Sequence, residues 1–188
     1  MKKIKKKIFF VSLFLINSCA GTSVTSTFGN ALFSEKGFYK TIDDSLIYTK
    51  IKAGILPLGL NTISDIGIHV YEGTVLLVGN IESSKQRLEI VKKAWEEDNV
   101  KEVINEIEIG ANYSIKEKSN DFYLQTKINA SLLLATKVVS NNYSIQVYRK
   151  NIYVIGLSRS LDEKIEIEEF LQSFDECDKI FNFIEVSR

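Results

Sequence analysis

An α+β fold, written as two tandem α-β-β-α-β units, is what the 188-residue sequence predicts, and three observations predict it. A constant offset of 77 residues brings two stretches into register, without a gap, over about 65 positions. Asp44 then falls on Asp121, Thr49-Lys50-Ile51 on Thr126-Lys127-Ile128, Val70-Tyr71 on Val147-Tyr148, Gly79 on Gly156, and Asn105 on Asn182. Within each stretch the apolar period passes from helical to alternating, back to helical, and to alternating again. A Ser-x-x-Gln/Glu signature, Ser83 to Gln86 and Ser160 to Glu163, marks the start of the second helix in each copy.

The elements follow in order. Ile47, Ile51 and Ile55 recur at helical spacing behind Asp44, and Leu124, Ile128 and Leu132 do so behind Asp121, with the two acids as N-cap candidates and the second helix expected over 121–137. Ile66, Ile68 and Val70 alternate, then Val75, Leu77, Gly79 and Ile81, around a turn at Glu72-Gly73-Thr74; the second copy has Tyr143, Ile145 and Val147, then Ile152, Val154 and Gly156, around Arg149-Lys150-Asn151. Leu88, Val91 and Trp95 are the expected apolar face of the next helix, matched by Ile167, Phe170, Leu171 and Phe174. Val103, Asn105, Ile107 and Ile109 form the last strand, matched by Ile180, Asn182, Ile184 and Val186. Each unit of about 70 residues is large enough to close two helices over one face of a three-stranded mixed sheet. The expected units span 41–110 and 118–188.

Residues 1–18 read as an export signal. Five lysines between Lys2 and Lys7 precede an apolar run from Ile8 to Ile16 interrupted by Ser12. As a helix that run is about 14 Å long, half the thickness of a hydrocarbon core, so it suits a signal segment and not a span. Leu15-Ile16-Asn17-Ser18-Cys19-Ala20 resembles a bacterial lipobox, departing at Asn17 from the usual small or aliphatic residue. That resemblance implies acylation of Cys19, by palmitate among other chains, and sorting to the outer membrane. Residues 19–40, rich in Thr, Ser, Gly and Asn, are expected to be a flexible tether.

Composition excludes several function classes. Without the five signal lysines, 19 basic residues face 24 acidic ones, a poor balance for wrapping nucleic acid. With Cys19 acylated, Cys177 has no intramolecular partner, and its acidic neighbours disfavour a thiolate. His69 is the sole histidine and sits in a strand, whereas metal ligands cluster. The acid runs Glu96-Glu97-Asp98 and Glu168-Glu169 read as solvated helix surfaces, and no phosphate-binding glycine loop or nucleophile elbow is present. Asn105 and Asn182 are expected to hydrogen-bond a loop. No catalytic set, metal or cofactor is expected.

One surface invites a ligand. With Leu124, Ile128 and Leu132 turned to the core, Phe122 and Leu133 point away from it, and Tyr123 and Leu134 lie on the flank near Lys127 and Lys137. From Asp121 to Ser160 there are five bases, Arg149 and Lys150 at the hairpin tip among them, and a single acid. An anionic phospholipid surface is the expected partner, with Phe122, Tyr123, Lys127, Leu133, Leu134, Lys137, Arg149 and Lys150 as the contact set. Packing of Phe122 and Leu133 against the first unit is the alternative at this point.

The order of elements resembles the BON (bacterial OsmY and nodulation) domain family. The resemblance rests on Thr41-Ile42-Asp43-Asp44, on Gly73 through Gly79, and on Val103-Ile104-Asn105-Glu106-Ile107, and departs in the second copy where Lys150-Asn151 replaces Gly-Thr. With the lipobox and tether it is similar to dual-domain outer-membrane lipoproteins that bind anionic phospholipid and support envelope integrity. A protein-docking role in an envelope machine, such as outer-membrane β-barrel assembly, is the second expectation, and a periplasmic stress protein the third.

Overall fold

The computed structural model describes residues 38–110 and 113–187. Cys19, the export signal and the tether up to residue 37 lie outside them. Five helices and six strands are arranged as α1 (Phe38–Ile55), α2 (Leu60–Asp65), β1 (Ile66–Tyr71), β2 (Thr74–Ile81), α3 (Ser84–Trp95), β3 (Glu102–Ile109), α4 (Ile115–Leu134), β4 (Tyr143–Tyr148), β5 (Asn151–Ser158), α5 (Leu161–Gln172) and β6 (Lys179–Val186). Short 3-10 turns at Leu56–Leu58 and Ser140–Asn142 complete the elements of the described residues. Pro57 ends α1 inside the first of these. Residues 38–40, assigned to the tether from sequence, are helical.

Two three-stranded sheets result, ordered β1-β2-β3 and β4-β5-β6. In each the hairpin is antiparallel and the last strand returns parallel beside the central one. Ile66 pairs with Gly79 and Gly79 with Ile107; Tyr143 pairs with Gly156 and Gly156 with Ile184. The sheets therefore repeat one register at the 77-residue offset. Gly79 and Gly156 stand where the chain entering the first strand crosses the central one. A Cβ there would lie 2.0 Å from Asp65 O and 2.1 Å from Asn142 O, respectively, so neither position admits a side chain.

One face of each sheet is covered by helices. Ile47, Ile51 and Ile55 of α1 and Ile90 and Ala94 of α3 close the first core over Val75, Leu77 and Ile107. Leu124, Ile128 and Leu132 of α4 and Ile167 and Leu171 of α5 close the second over Ile152, Val154 and Ile184. The expected face of α3 is corrected: Ile90 and Ala94 are buried, whereas Leu88 and Trp95 are exposed. Ile90 is the repeat partner of Ile167, and helical spacing from Ile90 selects Ala94, not Trp95.

The opposite faces of the two sheets meet each other. Tyr71, Leu76 and Val78 pack against Tyr148, Tyr153 and Ile155, with Ile104, Phe181 and Phe183 at the margins. The central strands are thus buried on both sides, as their near-continuous apolar runs allow. Each large apolar side chain so covered contributes about 1.5–3 kcal/mol relative to an exposed one. The polar contacts across this interface contribute about 0.5–1.5 kcal/mol each, so apolar burial holds the units together and the polar groups set their alignment.

Candidate lipid-contact surface

Helix α4 carries most of the expected contact set. It starts at Ile115, six residues before the expected point, because Ser114 and Glu117 form a reciprocal capping box: the Glu117 N–H donates to Ser114 Oγ at 3.2 Å, and Glu117 Oε2 accepts from the Ser114 N–H at 2.8 Å. It ends at Leu134 and not at Lys137. With Asp121, Leu124, Ile128 and Leu132 buried, the 100° turn per residue sends Phe122 and Leu133 outward along one line and Tyr123 and Leu134 along the next. They are 73%, 70%, 67% and 82% exposed. Phe122 and Leu133 are therefore not packed beneath the first unit. Eleven residues separate them, about 16 Å at a helical rise, so the apolar stripe runs most of the helix. Ile115, at its N-terminal end and also exposed, is absent from the contact set read in the sequence.

Asp121 is no N-cap. It lies inside α4 and holds the hairpin tip, its carboxylate accepting from the N–H groups of Arg149 (2.5 Å) and Lys150 (3.0 Å) and from the Tyr113 hydroxyl (2.6 Å). Asp44 does the same from within α1, accepting from the N–H groups of Glu72 (2.8 Å) and Gly73 (2.9 Å). Both central residues of each two-residue turn have positive φ, namely Glu72 and Gly73, and Arg149 and Lys150, the I′ geometry that suits the twist of a hairpin. This clamp fixes the tip against α4 at Asp121.

The cations are less available than their sequence positions suggest. Lys127 Nζ lies 2.5 Å from Glu176 Oε1, and this bond holds the ammonium above its ordinary pKa and the carboxyl below its own. Lys137 Nζ pairs with Glu166 at 2.5 Å with the same upward effect. Arg149 turns back toward the first unit, its Nε 3.3 Å from Glu108 Oε2 and its guanidinium over the Tyr113 and Tyr148 rings. Among the described residues, the Lys150 ammonium alone of the four has no carboxylate partner. Exposed pairs of this kind contribute about 0–1 kcal/mol and are screened by salt, so phosphates can replace the carboxylates at Lys127 and Lys137.

The remaining candidates have structural partners. His69 is half-buried between the sheets, its Nδ1 2.7 Å from Ser144 Oγ and its Nε2 3.0 Å from Gln146 Oε1. Glu163 accepts from the N–H groups of Val139 and Arg159 and from Arg159 Nε; burial raises its pKa, but these donors outweigh burial and the net shift is downward. The Ser-x-x-Glu signature does mark the start of α5, where Ser160 Oγ accepts from the Glu163 N–H at 3.1 Å. Cys177 is half-buried and has no disulfide partner among the described residues, and burial pushes its thiol up. Among the described residues no His/Cys/Asp/Glu group is arranged to hold a metal ion, and no helix is long and apolar enough to cross a membrane.

Residues 43–111, the first unit from the Asp43–Asp44 pair to the end of β3, match the BON domain family. The chain carries a BON domain. A protein of Anaplasma centrale, described as an uncharacterized protein in the gshII 5′ region, is 34% identical over 123 residues, covering 65% of this chain and 80% of that one. This BON-domain chain belongs to one family with it. Two solved structures of CdsD, a structural protein of the type III secretion system of Chlamydia trachomatis, align at 14% and 12% identity with TM-scores of 0.31 and 0.29. These alignments cover 73% and 75% of this chain; the chain spans 63% of the first, a C-terminal domain, and 92% of the second. At that level the likeness carries no argument about function.

Proposed function

We propose that this BON-domain protein is a non-enzymatic envelope protein, anchored through acylated Cys19 on the periplasmic side of the outer membrane, that binds anionic phospholipid through its second unit and supports outer-membrane integrity. The second unit is read as a second BON domain because it repeats the pairing register and the Asp-clamped hairpin of the first. BON domains are linked to membrane or phospholipid binding. The observation that carries the reading is the α4 stripe of Phe122, Tyr123, Leu133 and Leu134, four large apolar side chains exposed together on one helix.

Co-sedimentation with vesicles tests it, using residues 19–188 with Cys19→Ser so that neither acyl chains nor the five-lysine signal segment masks the contact. Recovery is expected to be higher with anionic than with neutral vesicles. Leu133→Glu is expected to lower affinity about tenfold or more, since burying a leucine contributes about 1.5–3 kcal/mol and about 1.4 kcal/mol is tenfold. Equal recovery on both vesicle types, unchanged by Leu133→Glu, would refute the reading.

One observation favours a second reading, docking of a protein partner on the same stripe. Lys127, Lys137 and Arg149 each face a carboxylate of this chain, which leaves the surface more apolar than cationic. Photo-cross-linking from Phe122 in intact cells separates the two, giving lipid adducts in one case and a single protein adduct in the other.

A further inference from the structure

Asn105 and Asn182 recur at one position of the last strand in each unit, and lipid contact leaves them without a role. Among the described residues both lie on sheet edges, since there β3 pairs with β2 alone and β6 with β5 alone. An edge strand turns alternate N–H and C=O groups outward, where another strand can pair with them. In β3 the bond from the Gly110 N–H to Ile81 O assigns even-numbered residues to the β2 side, so Ile107 turns its amide and carbonyl outward. In β6 the bond from the Ser187 N–H to Ser158 O assigns odd-numbered residues to the β5 side, so Ile184 turns outward.

At both places the outward groups already have partners, and the partners are the same kind. The Ile107 N–H donates to Asn105 Oδ1 at 3.3 Å, and Ile107 O accepts from Arg87 Nη1 at 3.4 Å. The Ile184 N–H donates to Asn182 Oδ1 at 2.8 Å, and Ile184 O accepts from Lys164 Nζ at 2.7 Å. Arg87 and Lys164 occupy equivalent positions of α3 and α5, again 77 residues apart. In the second unit Asn182 Nδ2 also donates to Glu168 Oε1, which fixes the amide with its oxygen toward the strand. The asparagines thus bond their own strand and not the loop expected from sequence.

We infer that these Asn–basic pairs close both sheet edges, so that a second copy of this chain cannot add a strand at β3 or β6. An incoming strand would have to displace two bonds at the middle of each edge before making its own. The two edges differ in how much they depend on the device. β3 also carries Glu102, Glu106 and Glu108, which repel an identical strand, whereas β6, Lys-Ile-Phe-Asn-Phe-Ile-Glu-Val, has one acid among β-prone apolar residues. The β6 pair therefore bears more of the burden.

Two measurements on the full chain test this. Amide hydrogen exchange is expected to show Ile107 and Ile184 protected at least about tenfold more than Val103 and Ile180, which turn outward on the same edges. Asn182→Ala combined with Lys164→Met is expected to leave the chain folded by circular dichroism but to form dimers or larger species in sedimentation velocity, at concentrations where the parent does not. Asn105→Ala with Arg87→Met is expected to do so more weakly. Exchange at Ile107 and Ile184 as fast as at Val103 and Ile180, or a folded β6 double variant that sediments as the parent does, would overturn the inference. Should that variant fail to fold, the exchange comparison on the parent decides.

Discussion

Asp121 is the residue on which the second unit's geometry turns. A carboxylate within a helix, 3% exposed, must find donors or lose its hydration without return. Here it finds two turn amides and a tyrosine hydroxyl. Removing it leaves three donors short of a partner, at about 1–3 kcal/mol for each that stays buried. Asp121→Ala is therefore expected to lower the unfolding free energy of the full chain by about 3–5 kcal/mol, read from urea denaturation. A loss below about 1 kcal/mol would contradict the clamp. The identity of Asp44 and Asp121 across the repeat was visible in the sequence, but their role was not. An acid ahead of apolar helical spacing reads equally well as an N-cap, and only the earlier start of each helix moves it inside.

At the scale of the element, the two hairpins show one backbone built from different residues. Glu72-Gly73 meets the I′ requirement for positive φ with a glycine, whereas Arg149-Lys150 meets it with two side-chain-bearing residues. Such residues adopt this conformation at a cost that glycine avoids, and the Asp121 bonds offset it. Lys150→Gly is expected to stabilise the chain by about 0.5–1 kcal/mol, the glycine's gain in the turn exceeding its larger entropy loss on folding. Because it also removes the one tip cation without a carboxylate partner, the same variant is expected to weaken binding to anionic vesicles. Thermal unfolding and co-sedimentation of that variant check the two effects separately. Helix α4 teaches a related lesson. Its buried face was legible from the spacing of Leu124, Ile128 and Leu132, and so was its outward face, whereas the pairing of Lys127 and Lys137 with acids of the following segment was not.

For the whole molecule, alignment of the two units rests on a polar contact inside an apolar interface. His69 of β1 reaches Ser144 and Gln146 of β4 with both ring nitrogens, an arrangement a neutral imidazole satisfies with one N–H and one acceptor. Burial lowers its pKa from the ordinary 6.5, the bond to Gln146 working against that shift. A histidine with a lowered folded-state pKa takes up its proton more readily when unfolded, so stability is lost as pH falls below 6.5. Glu106, whose pKa burial raises, acts with the opposite sign. The informative quantity is therefore the difference between the parent and His69→Gln. The parent is expected to lose more stability than the variant between pH 7.5 and pH 5.5, read from urea midpoints. Equal losses would show that His69 binds its proton equally well folded and unfolded and does not couple pH to the interface.

Element order and the likeness of the two units were determined by the sequence itself, because period, turn residues and capping signatures are local and were written twice. The facing of the two sheets was decided only in three dimensions. Alternation along β1 and β4 marks one buried face, and the unbroken apolar runs of β2 and β5 call for cover on both faces, but nothing local to a strand says that a second sheet supplies it. Ion pairs and edge caps belong to the same class: Glu108 with Arg149, and Arg87 with the Ile107 carbonyl, join residues from separate elements. Their partners are set by how the layers stack, and that stacking is driven by apolar area, which has no direction of its own.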